Sequence, residues 1–281
     1  GSRGGVPVRV LDGAARWAVR HARGVWGALG IFELAGLAAA LLAAGGFVLI
    51  AERVAAGATQ RLDAAVLAYL RGLRSPGLDA LALASAALGS TVALLVVLAG
   101  ATVWLWRSRH RYSVLLLWLS LAGGGILSGV LKTTFDRPRP PSLDWDRELL
   151  GWPLAFPTTP AFPSGHAVFA VVIYGTLAYL VARLGATRRT RRFTLAVAAV
   201  LILLIGSSRV YLGVHYPSDV LAGYLAGFVW ATSCACGIEV VRRALGGTRA
   251  ARHERGLDAG FTPPRDAVRR DRGGGHTRRR A

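Results

Sequence analysis

Six long apolar runs, each near the roughly 20 residues that a helix needs to cross a bilayer, constrain this chain more than any other feature. They extend over Ile31 to Ile50, Leu78 to Trp106, Ser113 to Leu131, Ser164 to Val181, Phe193 to Ser207 and Val220 to Val241. In hydrocarbon every backbone polar group must find its partner inside the protein. Runs of this kind therefore predict an all-α, polytopic membrane protein with six transmembrane helices. The second run is long and the fifth short, which predicts tilt or a buried end. The first has a long basic lead-in and only a weak small-residue match at Ala55-Ala56-Gly57-Ala58, so it reads as an uncleaved span.

The formal charge of +19 sharpens this reading. A nucleic-acid binder of that charge would display it on a soluble surface, whereas here it is parcelled between apolar runs, so nucleic acid is not expected as a partner. With the N-terminus cytoplasmic, the inside segments hold 25 of the 34 basic residues, as the positive-inside tendency requires. Both termini are then cytoplasmic. The expected organisation is a basic segment over 1–30, a membrane domain over 31–241 and a basic tail over 242–281, whose Arg- and Gly-rich composition predicts disorder. Between the first two runs, Leu62, Val66, Tyr69 and Leu73 fall at helical spacing, which predicts a short amphipathic helix either on the outer membrane surface or packed on the protein. Gly125 with Gly129, and Gly223 with Gly227, form small-xxx-small pairs that would let helices approach closely.

Three strings carry the chemistry: Lys132-Thr-Thr-Phe-Asp-Arg-Pro-Arg139-Pro140, Pro163-Ser164-Gly165-His166, and Ser208-Arg209-Val-Tyr-Leu-Gly-Val-His215-Tyr-Pro-Ser-Asp219. All sit at span ends on the predicted outer face. Lys132, Arg139 and Arg209 place three cations there, as a multiply charged anion requires. Lys132 is the only lysine in the chain, which points to a need for a compact ammonium at that position. The backbone amides of Ser164 and Gly165 at a helix start suit a phosphoryl group, and Gly165 lets it approach the backbone. His215, with Asp219 four residues on to fix its tautomer, reads as a nucleophile. His166, lacking a carboxylate nearby in sequence, suits proton donation to a leaving oxygen. Asp136 and Arg137 read as a local pair shaping their loop.

The combined pattern, Lys-x6-Arg-Pro, Pro-Ser-Gly-His and Ser-Arg-x5-His-x3-Asp, resembles the phosphatidic acid phosphatase type 2 superfamily over roughly Arg61 to Val241, including the Leu62-Asp63 lead-in and Leu88-Gly89. The resemblance implies a phosphatase that uses no metal or other cofactor. Carried over by position, Lys132, Arg139, Arg209, Ser164 and Gly165 would bind phosphate. His215 would form a phosphohistidine supported by Asp219, and His166 would protonate the leaving group. The expected substrate is a lipid phosphate or diphosphate in the bacterial inner membrane, such as undecaprenyl diphosphate or phosphatidylglycerophosphate, reached from the outer face. Trp145, Trp152, Phe156 and Phe162, in the loop from Pro141 to Phe162, suit the interface. Transfer of the phosphoryl group to a lipid or sugar hydroxyl is the alternative outcome at the same residues.

Overall fold

The computed structural model describes the backbone of residues 31–141, 159–184 and 187–260, and the side chains of 34–141, 159–184 and 187–241. Trp145, Trp152 and Phe156 therefore lie outside the described residues, as do 1–30 and 261–281. The chain forms helices α1 (Ile31–Ala55), α2 (Gln60–Gly72), α3 (Pro76–Leu88), α4 (Thr91–Arg107), α5 (Arg111–Phe135), α6 (Gly165–Ala170), α7 (Thr176–Arg183), α8 (Arg188–Tyr211) and α9 (Pro217–Gly260), with a π-helical turn at Val171–Gly175 joining α6 to α7. Among the described residues, five helical stretches are long and apolar enough to span a bilayer: Leu34–Ala55, Arg111–Phe135, Gly165–Arg183, Arg188–Tyr211 and Pro217–Val241. The count reaches six with α3 and α4 taken as one span bent by 50°. This is a multi-pass helical membrane protein.

The bend accounts for the long second run. Gly89 ends α3, and the Ser90 hydroxyl accepts from the Ala93 amide at 3.3 Å, so a new helix is capped at once. The short fifth run is lengthened by polar ends, since α8 starts where Thr187 accepts from the Thr190 amide and runs through Arg209 to Tyr211. Leucines such as Leu41 and Leu42 of α1 and Leu203 of α8 stay exposed, as lipid-facing side chains do. Inside, Leu98, Leu105, Leu116, Leu117, Val172 and Ile173 form one buried cluster.

Close helix contacts follow the small residues, though only one of the two expected pairs makes them. A Cβ at Gly223 would meet the Ser164 carbonyl at 2.7 Å and one at Gly227 the Val168 carbonyl at 2.7 Å, so α9 lies tight against α6. Gly129 meets nothing within 4 Å, and in α5 it is Gly123 that receives a neighbour, the Trp230 ring. Trp230 also donates to the Ser120 carbonyl at 2.9 Å, an interaction a glycine pattern does not announce.

One expectation needs correction. Phe162 is fully buried against Phe47 and Phe135, with ring centroids 5.9 and 4.8 Å away, and so is a core residue and not an interfacial one.

Candidate active site

The chain is shaped locally to bring the three strings to one end of the bundle. Helix α5 stops at Asp136, whose left-handed backbone (φ 38°) lets its amide bond the Lys132 carbonyl at 3.0 Å, and Pro138 and Pro140 then forbid further helix. Lys132 is thus held on the last turn of α5, and Arg139 on the extended segment beyond it. After α8, a turn through Gly213 (φ 70°) folds back so that the Val214 and His215 amides both donate to the Arg209 carbonyl, at 3.1 and 3.2 Å. Pro217 opens α9, and Asp219, three residues after Tyr216, accepts from the Tyr216 amide at 2.8 Å, the carboxylate half of a capping box. Asp219 therefore helps start the sixth span and faces His215 at the same time.

Asp219 Oδ2 lies 3.6 Å from His215 Nδ1, too long for a hydrogen bond but close enough for charge to act. His215 Nε2 lies 3.2 Å from Arg139 Nη1, which can only donate. That contact assigns the lone pair to Nε2 and the proton to Nδ1, toward Asp219. Burial holds the His215 pKa down at about 4; Asp219 pulls it up, while Arg139 and Arg209 push it further down. His215 is therefore neutral near neutral pH, with an unprotonated Nε2.

Arg139 is fixed by the Thr159 carbonyl at 2.9 Å, the Thr159 hydroxyl at 3.2 Å and the Val214 carbonyl at 2.8 Å. Its burial holds its pKa below the usual guanidinium value, with Asp219 opposing. Lys132 donates to the Pro160 carbonyl, and its Cε lies 3.9 Å from where a Cβ on Gly165 would sit. Arg209 keeps a buried Nε without a partner. Among the described residues, none of these three cations is in an ion pair within 4.0 Å of a carboxylate. His166 is half-buried on the first turn of α6. Its Cδ2 lies against Gly89, which explains the glycine at the break of the second span.

The structure brings together Lys132, Arg139, Gly165, His166, Arg209, His215 and Asp219. Ser164 is present too, but with different atoms available. Its amide donates to the Asp219 carbonyl at 2.9 Å and is not free for a ligand. The cause is the close packing of α9 on α6 at Gly223. What Ser164 retains is a fully buried hydroxyl without a partner.

Arg137 corrects a further expectation. Asp136 points outward and is not its partner; Arg137 instead is buried between two carboxylates from distant segments. Its Nη1 donates to Asp219 Oδ1 at 2.6 Å and its Nη2 to Asp63 Oδ2 at 2.8 Å. Asp63 comes from α2, which packs on the protein through Asp63, Val66, Leu67 and Leu70 and leaves Leu62, Tyr69 and Leu73 exposed. The available signal was Asp63 itself, an acid one position from the apolar stripe of an outward helix.

A family model described as PAP2 superfamily matches residues 113–242. The chain is 31% identical over 186 residues to phosphatidylglycerophosphatase B of Bacillus subtilis (strain 168), covering 65% of this chain and 86% of that protein. It is 30% identical over 153 residues to an Escherichia coli (strain K12) protein provisionally named undecaprenyl-diphosphatase YbjG, covering 54% of this chain and 68% of that protein. Its fold is similar to the crystal structure of a transmembrane PAP2-type phosphatidylglycerolphosphate phosphatase from Bacillus subtilis, with TM-score 0.62 and 27% identity over 70% of this chain and 94% of that one. Three strings gathered at one end of a helical membrane bundle, together with these likenesses, show that the chain belongs to the PAP2 superfamily.

Proposed function

We propose that this protein dephosphorylates a membrane lipid phosphate or diphosphate at the outer face of the bacterial inner membrane, through a phosphohistidine and without a metal ion. The observation that carries the reading is the meeting of three unpaired cations, a histidine with an unprotonated Nε2, and a second histidine on a helix start. In this reading Lys132, Arg139 and Arg209, with the Gly165 amide and the buried Ser164 hydroxyl, are the groups that hold the phosphoryl group. Donors aimed at charge that develops in the transition state can stabilise a five-coordinate phosphorus.

In the first step His215 Nε2 attacks phosphorus. A P–N bond forms, the bond from phosphorus to the leaving oxygen breaks, and His166 gives its proton to that oxygen. The ring gains positive charge, which Asp219 faces. In the second step His166 takes a proton from water, the water oxygen attacks phosphorus, the P–N bond breaks, and phosphate leaves.

A lipid substrate is supported by the depth of the site. Lys132 and Arg209 are on the last turns of spanning helices and His166 and Asp219 on the first turns of others, which is the level of lipid headgroups. The exposed Leu62 and Tyr69 of α2, with Leu73 just past its end, suit a headgroup interface beside it. The names of the relatives, a phosphatidylglycerophosphatase and an undecaprenyl-diphosphatase, support the same class. The outer face rests on the arginine distribution. The test is phosphate release from purified lipid phosphates in detergent. Turnover by the wild type and none by His215→Ala is the expected result; release unaffected by that substitution contradicts it.

A further inference from the structure

We propose that Asp63 and Arg137 are positioning residues of the phosphoryl-transfer site, acting through the buried chain Asp63–Arg137–Asp219 to fix the carboxylate that faces His215. The inference rests on the reading of His215 as nucleophile, and it makes the short helix α2 part of the catalytic unit.

The argument starts from how Asp219 is held. One of its oxygens accepts from Arg137 at 2.6 Å, and the other accepts from the Tyr216 amide at 2.8 Å and faces His215. Arg137 thus sets the plane in which the second oxygen can meet the imidazole. The guanidinium is itself held on several sides. Beyond Asp63 it donates to the Ser218 hydroxyl at 2.8 Å and Gln60 Oε1 at 3.2 Å, and it lies 4.2 Å above the Tyr216 ring. Only a planar group with several donors in a fixed fork can satisfy these partners together.

Asp63 completes the chain from outside the bundle. It accepts from the Ser218 amide at 3.1 Å and the Ser218 hydroxyl at 2.6 Å, so a residue of α2 caps the first turn of α9. Gln60, one turn earlier, donates to the Tyr216 hydroxyl at 3.2 Å. Helix α2 therefore grips the residue after His215 and the first turn of the helix carrying Asp219. Arg137 and Asp63 expose only 9% and 3% of their side chains and Asp219 none. Hydrogen bonds from Arg137 and Ser218 outweigh the effect of burial and hold the Asp63 carboxyl below its usual pKa. The group carries two carboxylates against one guanidinium. That leaves one negative charge in excess beside a ring that becomes positive when it takes the phosphoryl group.

An ion pair at the far end of a spanning helix from the site supplies the comparison. Arg183 and Glu239, 2.6 Å apart at the other end of the Gly165–Arg183 span, are also largely buried. The experiment measures kcat and KM for phosphate release in detergent for Asp63→Asn, Arg137→Lys, Arg137→Met and Arg183→Met, each in wild-type and Asp219→Asn backgrounds. A misplacement of about 1 Å costs on the order of 10²-fold, so Arg137→Met should lower kcat by about that factor, with little change in KM. In the Asp219→Asn background its further cost should be below about threefold, because the carboxylate it positions has gone. Arg137→Lys should restore little, Arg183→Met should leave kcat near wild type, and Asp63→Asn, which keeps the shape, should cost about tenfold.

A second readout does not depend on turnover: the NMR titration of His215, which is faced by Asp219, Arg139, Arg209 and His166. Arg137→Met should move its midpoint by more than about half a unit and Arg183→Met should not. Moved titration in a protein that turns over no lipid phosphate supports the positioning role and sinks the phosphatase reading. Turnover with an equal Arg137→Met penalty in both backgrounds, or an unmoved titration, overturns the positioning role and leaves the phosphatase reading intact.

Discussion

Gly89→Ala tests whether His166 delivers a proton from a fixed place. An added Cβ would sit 2.5 Å from Ile205 Cγ2 and 3.0 Å from His166 Cδ2, where carbon atoms pack best at about 3.5–4.0 Å. About 1 Å must be found. Ile205 is completely buried and has little room to give, whereas the half-buried imidazole of His166 can move. Gly89 has φ −91°, so alanine adds no backbone strain and the effect is steric. Overpacking of this kind costs about 1–3 kcal/mol, and a comparable displacement of a reacting group lowers rate by about 10²-fold. The assay is kcat on lipid phosphates, whose alkoxide leaving groups need a proton, beside kcat on an aryl phosphate, whose leaving group needs little help. Loss should be about 10²-fold on the former and only a few-fold on the latter. Adding Ile205→Ala, which deletes the opposing Cγ2, should return part of the lost rate. Full activity, or the same loss on both substrates, refutes the reasoning.

Lys132→Arg should lower kcat/KM by more than about tenfold although charge is kept, because a planar guanidinium must fit beside Gly165 where an ammonium now reaches the Pro160 carbonyl; wild-type activity would show that charge alone matters there. Since His215 must be neutral to attack, kcat/KM should fall as pH drops through about 4. Asp219 opposes the depression of the His215 pKa, so Asp219→Asn should move that acidic limb to lower pH and reduce the maximal rate; a stationary limb contradicts the pairing. In a variant lacking Cys234 and Cys236, single cysteines within residues 141–162 should react with an impermeant thiol reagent in intact cells and those within 183–192 should not, and the reverse pattern would place the site in the cytoplasm.

The spans and the three strings were legible because each has a local signature: apolar length for the helices, and a fixed spacing of charged, Gly, Pro and His residues for the site. What stayed hidden depends on long-range geometry. Arg137 is next to Asp136 in sequence, yet its carboxylate partners are 74 and 82 positions away. The left-handed backbone at Asp136 turns the two neighbours apart. The loss of the Ser164 amide to the Asp219 carbonyl arises from the close contact of α6 with α9, and no motif reports that contact. Phe162 looked interfacial beside tryptophans, but the aromatic partners that bury it, Phe47 and Phe135, come from α1 and α5. Gly89 shows the intermediate case. The glycine itself was visible, and only the packing of His166 and Ile205 against it supplies the reason.

The central claim is that His215 carries the phosphoryl group. Wild-type protein mixed with a lipid substrate bearing a labelled terminal phosphate, quenched within one turnover under alkaline conditions and digested, should yield one labelled peptide. The account predicts the label on His215 in the wild type and no label in His215→Ala. Label on any other residue, or turnover that continues without His215, would contradict it.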